Sequence, residues 1–236
     1  MSELTDVFSK MNIELDDSQV DKLNKFYEML VERNKVMNLT AITEYSQVVI
    51  KHFADSAAVA HAVDLNKIST VLDVGTGAGF PGIVLKIVFP HLNITLLDSL
   101  NKRINFLNEV IEELNLQNIR TVHKRAEDFA RDKNEREKYD LCVSRAVANL
   151  SSLSEYCLPF VKVGGLFVSY KAEDCEDEVN AAGKAIKILG GILNDTISYN
   201  IPNSDICRKF IVINKVKSTS SKYPRKAGLP TKEPLA

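Results

Sequence analysis

The stretch VLDVGTGAGFPGIVLK, residues 71–86, sets one carboxylate and four glycines where a backbone can lie directly against a ligand. Two patterns overlap in it. Gly77, Gly79 and Gly82 spell the dinucleotide fingerprint G-x-G-x-x-G, while Asp73, Gly75, Gly77 and Gly79 spell D-x-G-x-G-x-G, the loop of S-adenosylmethionine (SAM) enzymes. Either would work by the same physics: glycine turns tightly and brings no Cβ to the ligand, and the next helix offers unpaired N–H groups. What precedes the glycines separates them. The apolar strand ends near Val74, three residues ahead of Gly77, and Asp73 lies within it. A carboxylate there is awkward for a dianionic pyrophosphate and useful for a ligand carrying an ammonium and a sulfonium. Asp98 ends the next apolar run, where a carboxylate accepts from ribose hydroxyls. SAM is therefore favoured over a nicotinamide dinucleotide.

Arg145 follows the apolar run YDLCVS, at the sheet edge where open α/β folds bind ligands. Its planar fork suits a phosphate, a carboxylate or the acceptor edge of guanine, and it is the candidate catalytic residue; a surface salt bridge is the plainer reading. Cys142, inside that run, reads as an inert buried thiol. Towards the C-terminus, KYPRKAGLPTK joins Lys222, Arg225 and Lys226, which could neutralise phosphates, to Tyr223, which could stack on a base. A solvated basic tail is the alternative. Lys51, His52, Lys171 and Arg208 are weaker candidates for contacts with RNA.

These residues need elements to position them. Val20, Leu23, Phe26, Tyr27, Leu30 and Val31 recur at helical spacing, predicting a helix over about 17–36, with another near 44–62. From residue 68, β-branched runs alternate with helical stretches: ISTVLDV, NITLLD, NIRTVH, YDLCVS and GLFVSYK. That alternation implies a mostly parallel sheet covered by helices on both faces. The last two runs, ILNDTISYN and CRKFIVINK, have room only for a turn between them, which predicts a closing antiparallel hairpin. The expected architecture is α/β, a Rossmann-like seven-stranded class I SAM-dependent methyltransferase domain over 66–216. An N-terminal helical cap over 1–65 precedes it and a basic tail over 217–236 follows.

Composition bounds the rest. The formal net charge is −1 over 236 residues, so the whole-chain balance selects no partner. Charge is uneven, however: the acidic run EDCEDE at 173–178 reads as a helix start facing solvent. Four cysteines without a C-x-x-C pair fit neither a zinc site nor a disulfide framework. The acidic N-terminus lacks an apolar run of signal-peptide length, and no apolar stretch has membrane-spanning length. A cytoplasmic monomer without metal or membrane partner is expected.

Several stretches together resemble one family: NKVMNLTAI (34–42), KHFADS (51–56), DVGTGAGFPG (73–82), DSLNKRINFL (98–107), RAED (125–128), SRAVANL (144–150) and KYPRKAGLPTKEPL (222–235). They look like the bacterial small-subunit rRNA guanine-N7 methyltransferases, the RsmG or GidB family. The resemblance implies methyl transfer from SAM to one guanine of 16S rRNA near the decoding site, on rRNA or on the small ribosomal subunit. It would place Gly75, Gly77 and Phe80 around the methionine and ribose, Asp98 on the ribose, Ala126 and Glu127 beside the adenine, and Arg145 near SAM and the target base. Guanine N7 keeps its lone pair at neutral pH, so such a reaction needs orientation rather than a general base. The alternatives are a nicotinamide-dependent oxidoreductase and a non-catalytic RNA-binding protein on the same fold.

Overall fold

The computed structural model describes residues 2–145 and 148–235. The N-terminal part is helical. α1 (Glu3–Lys10) is capped by Ser2, and α2 (Asp17–Met37) by Asp16, whose side chain accepts from the Gln19 N–H while Gln19 reaches back to the Asp16 N–H. Leu23, Phe26 and Leu30 are the buried stripe of α2, and Asn38 ends it in the left-handed region at φ 50. The helix expected near 44–62 is instead a composite. α3 (Tyr45–Val48) runs into a π-helical turn (Val49–Ala54), then α4 (Asp55–Ala57) and a 3₁₀ turn (Ala58–His61). The wide turn rotates Lys51, His52 and Asp55 relative to a regular helix, and such turns recur at functional sites.

Then come β1 (Thr70–Val74), α5 (Gly82–Val88), β2 (Asn93–Asp98), α6 (Asn101–Glu113), β3 (Ile119–His123), α7 (Ala126–Phe129), β4 (Tyr139–Arg145) and α8 (Leu150–Cys157). β5 (Val161–Lys171), α9 (Glu176–Ile188), β6 (Gly191–Asn200), β7 (Cys207–Lys215) and α10 (Leu229–Lys232) complete the chain. The sheet order is β3-β2-β1-β4-β5-β7-β6. β7 pairs antiparallel with both β5 and β6, and the other neighbouring pairs are parallel.

Successive strand residues point to opposite faces, so each face builds its own core. Val71, Leu141, Val143 and Val168 pack with α1, α2, α5 and α6, while Leu72, Cys142, Phe167 and Ile211 pack with α8 and α9. Leu4, Phe8, Phe26 and Phe53 belong to the same buried cluster as Val71 and Ile83, so the N-terminal helices are continuous with the sheet's core. β1 has β2 on one side and β4 on the other. The strand order reverses between them, which opens a crevice at their carboxyl ends, where Gly75–Phe80 and Arg145 stand.

The C-terminal segment is held against the domain, which rules out the alternative weighed for it. It is no solvated extension: Arg136 donates to the carbonyls of Thr219, Ser220 and Tyr223, Arg131 donates to that of Pro224, and α10 lies on α8.

Candidate active site

Gly75, Gly77 and Gly79 all have positive φ, at 73, 61 and 100 degrees, a region glycine enters without cost. The loop they form is stitched to the end of β2. Gly75 and Thr76 donate to the Leu97 carbonyl at 2.8 and 3.1 Å, and Gly77 donates to Asp98 Oδ2 at 3.0 Å. A Cβ on Gly77 would meet nothing nearer than the Gly75 carbonyl at 4.0 Å, so it faces open space. Gly79 and Gly82 serve packing instead. A Cβ there would come within 2.6 Å of Ile83 and 2.2 Å of Leu96 respectively, so these glycines let α5 approach the sheet and α6.

Asp73, expected beneath the ligand's ammonium, lies under the start of α5. It is fully buried, and its Oδ2 accepts the Gly82 N–H at 2.8 Å, so it holds the start of α5. Burial pushes its carboxyl up to about 6, against the hydrogen bond from Gly82.

Beside the loop lies a cavity of about 380 Å³, whose walls include Gly75, Asp98, Ala126, Glu127, Tyr156 and Thr231. Asp98 is 3% exposed: its Oδ1 accepts from Leu100, and its Oδ2 from Gly77 and from Arg103 Nη1 at 3.2 Å. Each carboxylate oxygen has two lone pairs, so the group joins the loop to β2 and retains acceptor capacity toward a ribose. Glu127 is also buried, and its Oε1 accepts the Gly228 N–H at 2.9 Å. The size suits a nucleoside-bearing ligand. With the open approach at Gly77 and the carboxylate at Asp98, these residues fit SAM.

On the opposite side of the loop stands a shelf built on Phe80. The His52 ring stacks on it at 4.5 Å between centroids, and the Arg145 guanidinium lies 5.1 Å from its centroid. Arg145 Nη1 donates to Asp55 Oδ2 at 2.7 Å and to the Lys51 carbonyl at 3.1 Å. Asp55 has no exposed surface, and its other oxygen accepts from Arg208 Nε at 2.5 Å. His52 Nδ1 sits 3.0 Å from the Lys51 carbonyl and 3.4 Å from Arg145 Nη2, and Nε2 lies 2.8 Å from the Thr40 hydroxyl. Burial, and then the nearby Arg145 charge, lower His52 to about 4, which leaves it neutral near pH 7.

Of the residues expected to meet RNA, Lys51, Lys222 and Lys226 are exposed. Three others are committed within the protein. Arg208 holds Asp55, Lys171 donates to the Ala148 carbonyl and to Glu178 Oε1 at 2.6 Å, and Arg225 makes a fork on Glu155, a carboxylate with no exposed surface. Tyr223 packs against the α8 side of the core. Ala146 and Val147 of the SRAVANL stretch lie outside the described residues. Sequence reasoning missed Asp55, Glu155, Tyr156 and Thr231. Asp55 had a signal, since it follows His52 by three residues, and Glu155 had another, as an acid inside the apolar run LSSLSEYCLPF.

The strand order with β7 reversed, the glycine loop after β1 and the acid ending β2 define a class I SAM-dependent methyltransferase. Solved structures share that fold: the YcgJ protein from Bacillus subtilis at TM-score 0.52 and 14% identity, covering 72% of this chain and 100% of that one, and TrmN from Thermus thermophilus at 0.51 and 16%, covering 71% and 53%. The chain belongs to the rRNA small subunit methyltransferase G family (GidB), whose family model matches residues 19–207. Proteins named ribosomal RNA small subunit methyltransferase G are 52% identical in Alkaliphilus oremlandii, with 99% of each chain covered, and 48% identical in Bacillus subtilis, with 100% of this chain and 98% of that one covered. The chain is thus an rRNA methyltransferase that uses SAM, and the nicotinamide and non-catalytic readings are set aside. Among the described residues, no helix is long and apolar enough to cross a membrane.

Proposed function

We propose that this enzyme methylates N7 of a guanine in 16S rRNA, near the decoding site of the small subunit, with the Phe80 shelf as the place where the base is held. The supporting observation is the Arg145 fork, lying on Phe80 and fixed by the buried Asp55 at the mouth of the glycine loop. Bound SAM supplies an electrophilic methyl group on a sulfonium. Asp98 and the open face of Gly77 would position that group from the cavity side. Arg145, through O6 or a flanking phosphate, orients the base without covering N7. Transfer to the N7 lone pair would ask of the chain's own residues only that they hold base and cofactor in line. No proton moves, so neutral His52 serves as a stacking surface rather than a base. Its lack of charge also spares the methylated purine, which becomes cationic, from repulsion.

Holding the two reactants in line can contribute on the order of 7 to 11 kcal/mol, which is the work the Asp55–Arg145–Phe80 arrangement would do. The proposed active unit is a cytoplasmic monomer, with Lys51, Lys222 and Lys226 facing phosphates. The test is transfer of a tritiated methyl group from SAM to purified bacterial small subunits, followed by nucleoside analysis. Labelled 7-methylguanosine is expected. Label in another nucleoside, or none with a folded SAM-binding protein, would overturn the proposal.

A further inference from the structure

The C-terminal segment does more than cover α8. Its chain runs from Arg225, locked on the buried Glu155, through Gly228, whose N–H reaches Glu127, to Thr231, which lines the cofactor cavity. Pro230 lies between, its carbonyl accepting from the buried Ser152 hydroxyl at 2.7 Å. Three anchors thus fix this segment as the wall of the cavity facing Ala126 and Glu127.

At its end Thr231 Oγ1 and the Tyr156 hydroxyl are 2.7 Å apart. Each hydroxyl carries one proton and two lone pairs. Their mutual hydrogen bond uses one proton, which leaves one free donor beside free acceptors on two adjacent oxygens. An adenine edge presents the matching set: an exocyclic amino donor next to a ring-nitrogen acceptor. The Gly228 N–H, the backbone donor of this segment beside the pair, is already taken by Glu127.

We propose that the C-terminal segment is part of the cofactor site, and that the Tyr156–Thr231 hydroxyl pair recognises the amino edge of the adenine. The proposal rests on reading this cavity as the adenosyl pocket. It adds two specificity-determining side chains to that pocket, one of them from the last residues of the chain.

The experiment is calorimetric binding of S-adenosylhomocysteine and of its 6-deamino analogue, which lacks only the amino group, to the full-length protein. Thr231→Val and Tyr156→Phe keep shape and remove one hydroxyl each, and Asp98→Ala is the control for the pocket itself. Each hydroxyl variant is expected to weaken S-adenosylhomocysteine about 5- to 10-fold, the size of one neutral hydrogen bond; the variant lacking the donor to the ring nitrogen weakens the deamino analogue as well, and the variant lacking the acceptor for the amino group leaves that analogue within about twofold of wild type. In the latter the preference for the amino-bearing ligand should therefore collapse. Equal losses for both ligands in both hydroxyl variants, or no loss for either ligand while Asp98→Ala weakens both, would overturn the recognition role and leave the pocket standing. Wild-type binding by Asp98→Ala would overturn the pocket reading and the proposal with it.

Discussion

Asp55 and Arg145 are joined at 2.7 Å although 90 residues separate them in the chain, and the carboxylate of the pair has no exposed surface. Asp55 also accepts from Arg208 on β7, so one buried anion ties the π-helical turn, the end of β4 and the closing hairpin together. Removing one partner of such a cluster leaves uncompensated buried charge, at a cost of about 3–5 kcal/mol. Asp55→Ala should lose about that much stability in urea unfolding. Asp55→Asn keeps the shape but weakens the hold on Arg145. Methyl transfer should then fall about 100-fold in kcat, with SAM affinity near wild type, because misplacing a positioning group by about 1 Å costs that much. Wild-type kcat in Asp55→Asn would remove Arg145 from the base-holding role.

Gly77 and Gly79 lie two residues apart and should fail in different ways. At Gly77 the added side chain enters open space beside the cavity, and φ is 61 degrees, a conformation a β-branched residue resists. Gly77→Val should lose SAM binding by more than about 100-fold, since both the approach and the donor to Asp98 are disturbed. At Gly79 the new atom would sit 2.6 Å from Ile83. Gly79→Ala should cost stability by about 1–3 kcal/mol or more. Titration calorimetry and thermal melting, run on both variants, separate the two. Wild-type SAM affinity in Gly77→Val would sink the loop assignment.

His52 and Asp73 titrate against each other. His52 falls from 6.5 to about 4 on folding, so between those values the unfolded chain holds the extra proton and stability drops as the pH falls. Asp73 rises from 3.8 to about 6, so over nearly the same range the folded chain holds the extra proton and stability grows as the pH falls. The wild-type profile between pH 6 and pH 4 should hide both. In His52→Gln, stability should increase on acidification across that window relative to wild type. In Asp73→Asn it should decline more steeply. Superimposable urea midpoints against pH for all three proteins would refute both assignments.

Most strands were legible because they are short apolar runs bounded by polar turns, and α2 because its apolar spacing repeats over about three turns, from Val20 to Val31. α1 has eight residues and too few repeats to register, and the π-helical turn has no periodic signature. The loop glycines were recognisable, but not their division of labour. Gly79 and Gly82 are small because of Ile83 and Leu96, and only the folded backbone brings those side chains there. The same holds for charge. Arg208 and Lys171 read as free cations until the fold supplies Asp55 from 153 residues away and Glu178 from the next helix.

Arg225 and Lys226 are neighbours with opposite fates. Lys226 is exposed, whereas Arg225 makes a forked pair with Glu155 that α8 buries completely. Replacing Lys222 and Lys226 with Ala removes only charge that phosphates can meet. RNA affinity should drop, and the slope of log affinity against log salt should flatten by about 0.7 to 0.9 for each phosphate no longer neutralised, with SAM affinity unchanged. Arg225→Ala leaves the buried Glu155 without its cation and frees the wall that carries Gly228 and Thr231. It should lower the melting temperature and weaken S-adenosylhomocysteine while leaving the salt slope near wild type, because Arg225 is already neutralised inside the protein. Filter binding over a salt series and calorimetry on the wild type and both variants decide this. A flattened slope in Arg225→Ala with intact cofactor affinity would return that arginine to the RNA surface.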